Sequence, residues 1–237
     1  MSRAEPRRLF VLWDVDGTLI NNGGVSKEAY ARGFEILTGA PPIQPVVTDG
    51  RTDLAIMRAL FEGHGLAFVP AMSDRLPAAM AAALDALVPR LRERGHAMPG
   101  ASAAITALGE EPDVLQSVLT GNIARNAQTK VSAFALQAGL DFEVGGYGED
   151  SEVRTELVAA ARRKAAAKYG TVFTRDNTVL VGDTPRDVEA AQLGGARVVG
   201  VCTGRFGEAE LRAVGARTVL PNLSDTAAVV RAVLSAA

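Results

Sequence analysis

Leu9-Phe10-Val11-Leu12-Trp13-Asp14-Val15-Asp16-Gly17-Thr18 is the stretch from which the fold can be read. Five bulky apolar residues run without polar alternation and stop at an acidic turn that contains a glycine. A run of this length with no polar face reads as a strand buried on both sides, as in a parallel sheet. Similar runs recur at residues 114–119, 178–181 and 197–201, with weaker ones at 217–220 and 142–144. Helical stretches separate them, at about residues 101–108, 123–138, 152–168, 186–193, 208–214 and 225–234. Strands alternating with helices of this length predict an α/β fold: a Rossmann-like parallel sheet with helices on both faces.

One region breaks the alternation. Residues 23–96 contain no strand pattern, and 25–38, 52–64 and 73–94 all read as helical. Met80, Leu84, Leu87 and Leu91 give the last of these one apolar face, and Pro89 is placed to kink it. The loops between these helices are rich in glycine and proline. A helical block between the first and second strands predicts a small inserted domain, with hinges near residues 21–24 and 95–100.

The composition removes several classes of function. Of 237 residues, 48% are hydrophobic and 22% charged, as in ordinary globular chains. Lys and Arg total 25 against 27 Asp and Glu, so no basic excess exists to hold nucleic acid or an anionic membrane. A single cysteine, Cys202, excludes an intrachain disulfide framework and CxxC metal sites. With only His64 and His96, a histidine cage is excluded too. No apolar run approaches the ~20 residues of a membrane span. The run at Leu9 ends at Asp14, short of the about 7–15 apolar residues of a secretory signal. The expected location is the cytoplasm.

In an open parallel sheet, ligands bind beyond the carboxyl ends of the strands. Three such ends carry polar residues here: Asp14 to Thr18, Thr120-Gly121-Asn122, and Gly182-Asp183-Thr184 with Asp187 four residues beyond Asp183. On one sheet edge, Asp14, Asp16 and Asp183 would converge despite their distance in sequence. Gathered carboxylates repel one another and call for a cation. Mg²⁺ suits hard oxygen ligands and a substrate phosphate. Thr120, Asn122 and the N–H groups near Gly17 or Gly121 are suited to hold phosphate oxygens.

These segments resemble the motifs of the haloacid dehalogenase-like (HAD) superfamily, in particular its phosphoglycolate phosphatase-like members. Asp14-Val15-Asp16-Gly17-Thr18-Leu19 is similar to the first motif and Thr120-Gly121-Asn122 to the second. Gly182-Asp183-Thr184-Pro185-Arg186-Asp187, followed by Ala190-Ala191, is similar to the fourth. They occur in the superfamily's order. The resemblance implies a core of residues 1–21 and 97–237 and a helical C1 cap of residues 22–96. It also implies that Asp14 is the nucleophile forming an aspartyl-phosphate, and that Asp16 is the general acid/base. Mg²⁺ would be held by Asp14, the Asp16 carbonyl and Asp183, with Asp187 acting on the metal through water or orienting its neighbours. Thr120, Gly121 and Asn122 would contact the phosphoryl group.

The third motif departs from the pattern. Such phosphatases carry a lysine there, often in a Lys-Pro pair, and this chain has no Lys-Pro. Arg154 stands where that lysine is expected and is the first choice for the catalytic and phosphate-binding cation, with Lys130 and Lys164 as alternatives. An Asp at position 16 implies phosphate-ester chemistry, since superfamily dehalogenases lack it and phosphonate-cleaving members have Ala. Sugar phosphomutases of this type carry an arginine three residues after a cap glycine. Here Gly50-Arg51-Thr52-Asp53 has Asp53 in that slot. The resulting expectation is a Mg²⁺-dependent phosphatase of a small phosphorylated metabolite, as a monomer or homodimer. A sugar phosphomutase and a non-catalytic phospho-ligand-binding module are the alternatives. Arg51 either pairs with a second anionic group of the substrate or merely lies beside a helix cap at Thr52 or Asp53. Gly145-Gly146-Tyr147-Gly148 reads as a flexible loop, and Arg162-Arg163-Lys164 as a solvated helix face.

Overall fold

The computed structural model describes residues 8–48 and 50–236. Asp49 of the loop beside Arg51, and residues 1–7 and 237 of the expected core, lie outside the described residues.

Strands β1 (Leu9–Trp13), β4 (Val114–Thr120), β5 (Gly146–Tyr147), β6 (Thr178–Gly182), β7 (Arg197–Val201) and β8 (Thr218–Leu220) form one parallel sheet in the order β5-β4-β1-β6-β7-β8. Alternate residues of β1 serve opposite faces. Leu9, Val11 and Trp13 pack with apolar residues of α5 (Ala101–Gly109), α6 (Ala124–Ala133) and α10 (Thr226–Ala236). Phe10 and Leu12 pack on the other side with α7 (Glu156–Tyr169) and α8 (Pro185–Leu193). Both faces are covered, which is why the strand has no polar positions. A further helix, α9 (Glu208–Ala213), lies between β7 and β8 in sequence. The chain leaves β1 toward β4 on one side and returns to β6 on the other. The carboxyl end of β1 is therefore a topological switch point, where crevices form in such sheets.

The helical block consists of α1 (Val25–Thr38), α2 (Asp53–Gly63), α3 (Pro70–Asp85) and α4 (Val88–Arg94). Its own apolar cluster includes Tyr30, Phe34, Met57, Phe61 and Met80, and Ile123 of the sheet domain joins it. Where the chain enters and leaves, β2 (Ile20–Asn21) and β3 (His96–Ala97) pair antiparallel.

Several expectations need correction. Residues 142–144 form a short 3-10 turn, not a strand, because the Asp141 carboxylate accepts the Glu143 N–H and curls the chain. The edge strand follows at Gly146–Tyr147, so the middle of the expected flexible loop at 145–148 is a strand, and all four residues are buried. The expected helix 73–94 is two helices, interrupted at Ala86 and Leu87, ahead of Pro89 and not at it. Helix α6 stops at Ala133, five residues early, and Ala135 takes a left-handed backbone (φ 57°). Arg162 is only partly solvated, since its guanidinium donates to Thr178 Oγ1 and to the carbonyls of Gly194 and Gly195, while Arg163 is exposed as expected. No helix among the described residues is long and apolar enough to cross a membrane.

Candidate active site

The ends of β1, β4, β6 and β7 and the starts of α1 and α2 meet around a cavity of about 380 Å³. Its lining includes Asp14, Asp16, Thr120, Gly121, Asn122, Arg154 and Asp183. A larger groove of about 1210 Å³ lies where β7 and β8 begin, lined by Arg175, Arg197, Arg212 and Arg217, away from these carboxylates.

Asp14 continues β1, its N–H still bonded to Val181 O at 2.9 Å. The chain then turns back on itself, with Leu19 and Ile20 N–H groups both on Val15 O. Gly17 takes φ 94°, and a Cβ there would come within 2.5 Å of Asp183 Oδ2. Glycine thus meets both a left-handed backbone and a close approach. The turn sends the Asp14 and Asp16 carboxylates to different neighbours.

Asp14 faces like charge. Oxygens of Asp14, Asp183 and Asp187 lie within 4.8 Å of one another. Burial first, then repulsion from Asp187, hold the Asp14 carboxyl well above the usual range, against the pull of Arg154. Burial and Asp187 push Asp183 up to about 7, although the Thr18 hydroxyl donates to it at 2.9 Å. Arg154 reaches this group from the turn before α7, with one guanidinium nitrogen 2.7 Å from Asp14 Oδ1 and 2.6 Å from Asp187 Oδ1. Burial alone would lower the Arg154 pKa, but Asp187 and Asp14 outweigh it and hold the guanidinium charged. The second Asp187 oxygen accepts the Thr184 N–H and hydroxyl, closing the cap of α8.

Asp16 faces opposite charge. Lys130 Nζ, 3% exposed, lies 2.7 Å from Asp16 Oδ2 and also donates to Ser26 Oγ and Asn122 Oδ1 at 2.7 Å, using all three protons. Asn122 Nδ2 donates to Asp16 Oδ2 at 2.8 Å and to Thr120 Oγ1 at 2.7 Å, while Asn22 Nδ2 donates to Asp16 Oδ1 at 2.7 Å. Burial would raise Asp16, but the charge and hydrogen bond of Lys130, with those of Asn122 and Asn22, bring it below its ordinary value.

Among the described residues, two cations therefore touch the Asp14 and Asp16 carboxylates, while Arg51 and Arg205 also line the cavity. Arg154 meets the Asp14 side and Lys130 the Asp16 side. Lys164 is directed elsewhere, to Gly145 O and Asp150. Thr18, Asn22, Ser26 and Thr203 also reach the site and were not singled out from the sequence. Thr203 was legible in principle, because it follows the carboxyl end of β7 and so lies on the same sheet edge.

The acidic trio is a set of hard oxygen donors whose mutual repulsion favours a cation among them, and it fits a divalent metal ion. A second sign of a ligand is Thr203 Oγ1, buried on the cavity wall without a hydrogen-bond partner among the described residues. Gly204 beside it has no room for a Cβ, which would overlap Asp183 Oδ2 at 1.8 Å.

Solved structures share this architecture. A hydrolase from Pseudomonas syringae is 21% identical, with a TM-score of 0.64 over 92% of this chain and 95% of its own. A candidate beta-phosphoglucomutase from Bacteroides vulgatus is 18% identical, with a TM-score of 0.67 over 98% of this chain and 91% of its own. A predicted phosphoglycolate phosphatase from Haemophilus somnus is 14% identical, with a TM-score of 0.64 over 96% of this chain and all of its own (100%). At these identities the likeness establishes the fold. No curated protein matches. The model of the haloacid dehalogenase-like hydrolase family matches residues 11–192, more than half of the chain, so the protein belongs to that family and is a hydrolase of the HAD type.

Proposed function

We propose that this hydrolase is a Mg²⁺-dependent phosphatase that cleaves a small phosphate monoester through an aspartyl-phosphate. The observation that carries the reading is the contrast between Asp14 and Asp16. Two residues apart, they stand in opposite electrostatic surroundings, and such pairs divide nucleophilic from acid–base work. Residues 22–96 act in this reading as the cap that selects the substrate.

A bound Mg²⁺ would neutralise charge on the carboxylates and the phosphoryl group. Asp14, the Asp16 carbonyl and Asp183 would hold it, with Asp187 behind them. Asp14 must be ionised to attack, so neutralisation of its neighbours favours the reactive form. A carboxylate oxygen of Asp14 forms a bond to phosphorus as the ester P–O bond breaks. The leaving alkoxide takes a proton from Asp16. Lys130 holds Asp16 ionised before substrate enters; the incoming phosphate dianion opposes that ionisation and competes for Lys130, so Asp16 takes up from solvent the proton that it then gives to the leaving alkoxide. Water then forms a bond to phosphorus, Asp16 accepts its proton, and Asp14 leaves as carboxylate. Arg154 fixes Asp14 Oδ1 throughout, and the Thr120 hydroxyl and the Gly121 turn serve the phosphoryl oxygens, while Asn122, expected to join them, spends both amide protons on Asp16 and Thr120 and so holds the acid–base group instead.

The mutase alternative is weaker. In the slot where the resemblance puts a mutase arginine, Asp53 is fully buried and bonded to Tyr30 and Ile123. The test is hydrolysis of p-nitrophenyl phosphate with Mg²⁺, followed by a panel of phosphorylated metabolites. Activity is expected to vanish with EDTA, and Asp14→Asn is expected to lose about 10⁴-fold or more while remaining folded. Wild-type turnover in that variant would overturn the nucleophile assignment. Binding of phosphorylated metabolites without turnover across the panel would instead favour the non-catalytic reading.

A further inference from the structure

Asp53 is the first residue of α2, yet α2 does not need it as a cap: Thr52 Oγ1 already accepts the Ala55 N–H. Two of its three contacts go instead to the sheet domain, and the third to Tyr30 of α1. The Asp53 N–H donates to Gly121 O at 2.7 Å. Its Oδ2 accepts the Ile123 N–H at 2.9 Å, and its Oδ1 accepts the Tyr30 hydroxyl at 2.6 Å. One residue thus grips the peptide groups on both sides of Asn122. The surroundings are closed. A Cβ on Gly121 would overlap Arg51 O at 2.0 Å, and one on Gly148 would overlap Gly121 O at 1.8 Å. Burial pushes Asp53 up to about 6, against its two hydrogen bonds. Burial and the Asp53 carboxylate hold Tyr30 far above its usual range, which keeps its hydroxyl a donor. Burying a carboxylate here is costly, and a neutral side chain would serve the helix as well.

We propose that Asp53 is a positioning residue that braces the Gly121–Ile123 turn from the cap, so that the Asn122 side chain stays bonded to Asp16 and Thr120. Resting on the phosphatase reading, this gives Asp53 a specific place in the reaction. It acts through Asn122 on the group that protonates the leaving alcohol. Its loss should therefore matter most where the leaving group needs a proton.

The experiment compares Asp53→Ala and Asp53→Asn on ethyl phosphate, whose alkoxide needs protonation, and on p-nitrophenyl phosphate, whose phenolate does not. Asp53→Ala is expected to lower kcat on ethyl phosphate about tenfold more than on p-nitrophenyl phosphate, and Asp53→Asn, which keeps one acceptor, to restore part of it. The Ile123 amide is expected to exchange faster in Asp53→Ala. Equal losses on the two esters, or none, overturn the proposal, as does unchanged Ile123 exchange. Should Asp53→Ala not fold, Tyr30→Phe removes only the brace on Oδ1 and should give a smaller change of the same sign. A wild-type protein that hydrolyses neither ester would defeat the phosphatase reading, while Ile123 exchange would still report on the brace.

Discussion

The two halves of the site differ in how they handle buried charge. On the Asp14 side, three carboxylates share one guanidinium. On the Asp16 side, one carboxylate is met by an ammonium and two amides. The first half carries excess negative charge and is built to receive a cation. The second is already neutral and can hold its geometry without one. Chain connectivity does not create this difference, since Asp14 and Asp16 are almost adjacent. It comes from the Gly17 turn, which sends one side chain toward β6 and the other toward α6.

Removing each cation in turn tests the contrast most strongly. Arg154→Met leaves Asp14 and Asp187 buried without their partner, and Arg154 itself is only 9% exposed. Breaking such a pair costs about 3–5 kcal/mol. Asp16 is 27% exposed, so water relieves part of the loss in Lys130→Met, which should cost about 1–3 kcal/mol. Urea melts with and without Mg²⁺ separate the two cases. Added Mg²⁺ should restore much of the stability of Arg154→Met and little of that of Lys130→Met. Equal costs and equal rescue would show that the halves are not electrostatically distinct.

A smaller effect is expected from pH. In the metal-free protein, Asp183 titrates at about 7 against an ordinary 3.8, and Asp14 is raised as well. Between about pH 4 and pH 7 the native state therefore holds protons that the unfolded chain has released, and stability falls as the pH rises. Asp16 works in the opposite direction. Its lowered pKa contributes stability above its ordinary value, and this is lost as the pH falls below it. Mg²⁺ should accordingly raise the melting temperature more at about pH 8 than at about pH 5. A shift of the same size at both would sink the assignment of the raised carboxylates to the metal half.

The two halves also differed in how far the sequence exposed them. Asp14, Thr120 and Asp183 end neighbouring strands, and a parallel sheet places such ends on one edge whatever the helices do. Arg154 was legible from its position before the helix that precedes β6. Lys130 was weaker, because helical periodicity places a Cα but not the reach of a long side chain across to Asp16. Asp53 was read as a helix-start residue, since its partners at Gly121 and Ile123 lie about seventy residues away and no local spacing announces them. The misread 3-10 turn at 142–144 and the edge strand at Gly146–Tyr147 are too short for alternation to tell strand from turn. The early end of α6 carries no glycine or proline to mark it.

The finest test concerns Thr203, on the Asp183 side of the cavity. Its buried hydroxyl has no hydrogen-bond partner among the described residues, and a hydrogen bond left unmade costs about 1–3 kcal/mol. Valine keeps the shape and removes the orphaned group, so Thr203→Val should leave stability unchanged or raise it by up to about 1 kcal/mol. A hydroxyl serving only as packing would lose nothing else. One that completes the surroundings of a bound cation or phosphate should also weaken the apparent Mg²⁺ or substrate affinity a few-fold. We expect the second pattern, because Thr203 is followed by Gly204, whose missing Cβ makes room for the Asp183 carboxylate. Melting curves and Mg²⁺ titrations of activity on the same variant read both effects. A stability gain with unchanged titrations would confine the ligand shell of this half to its carboxylates.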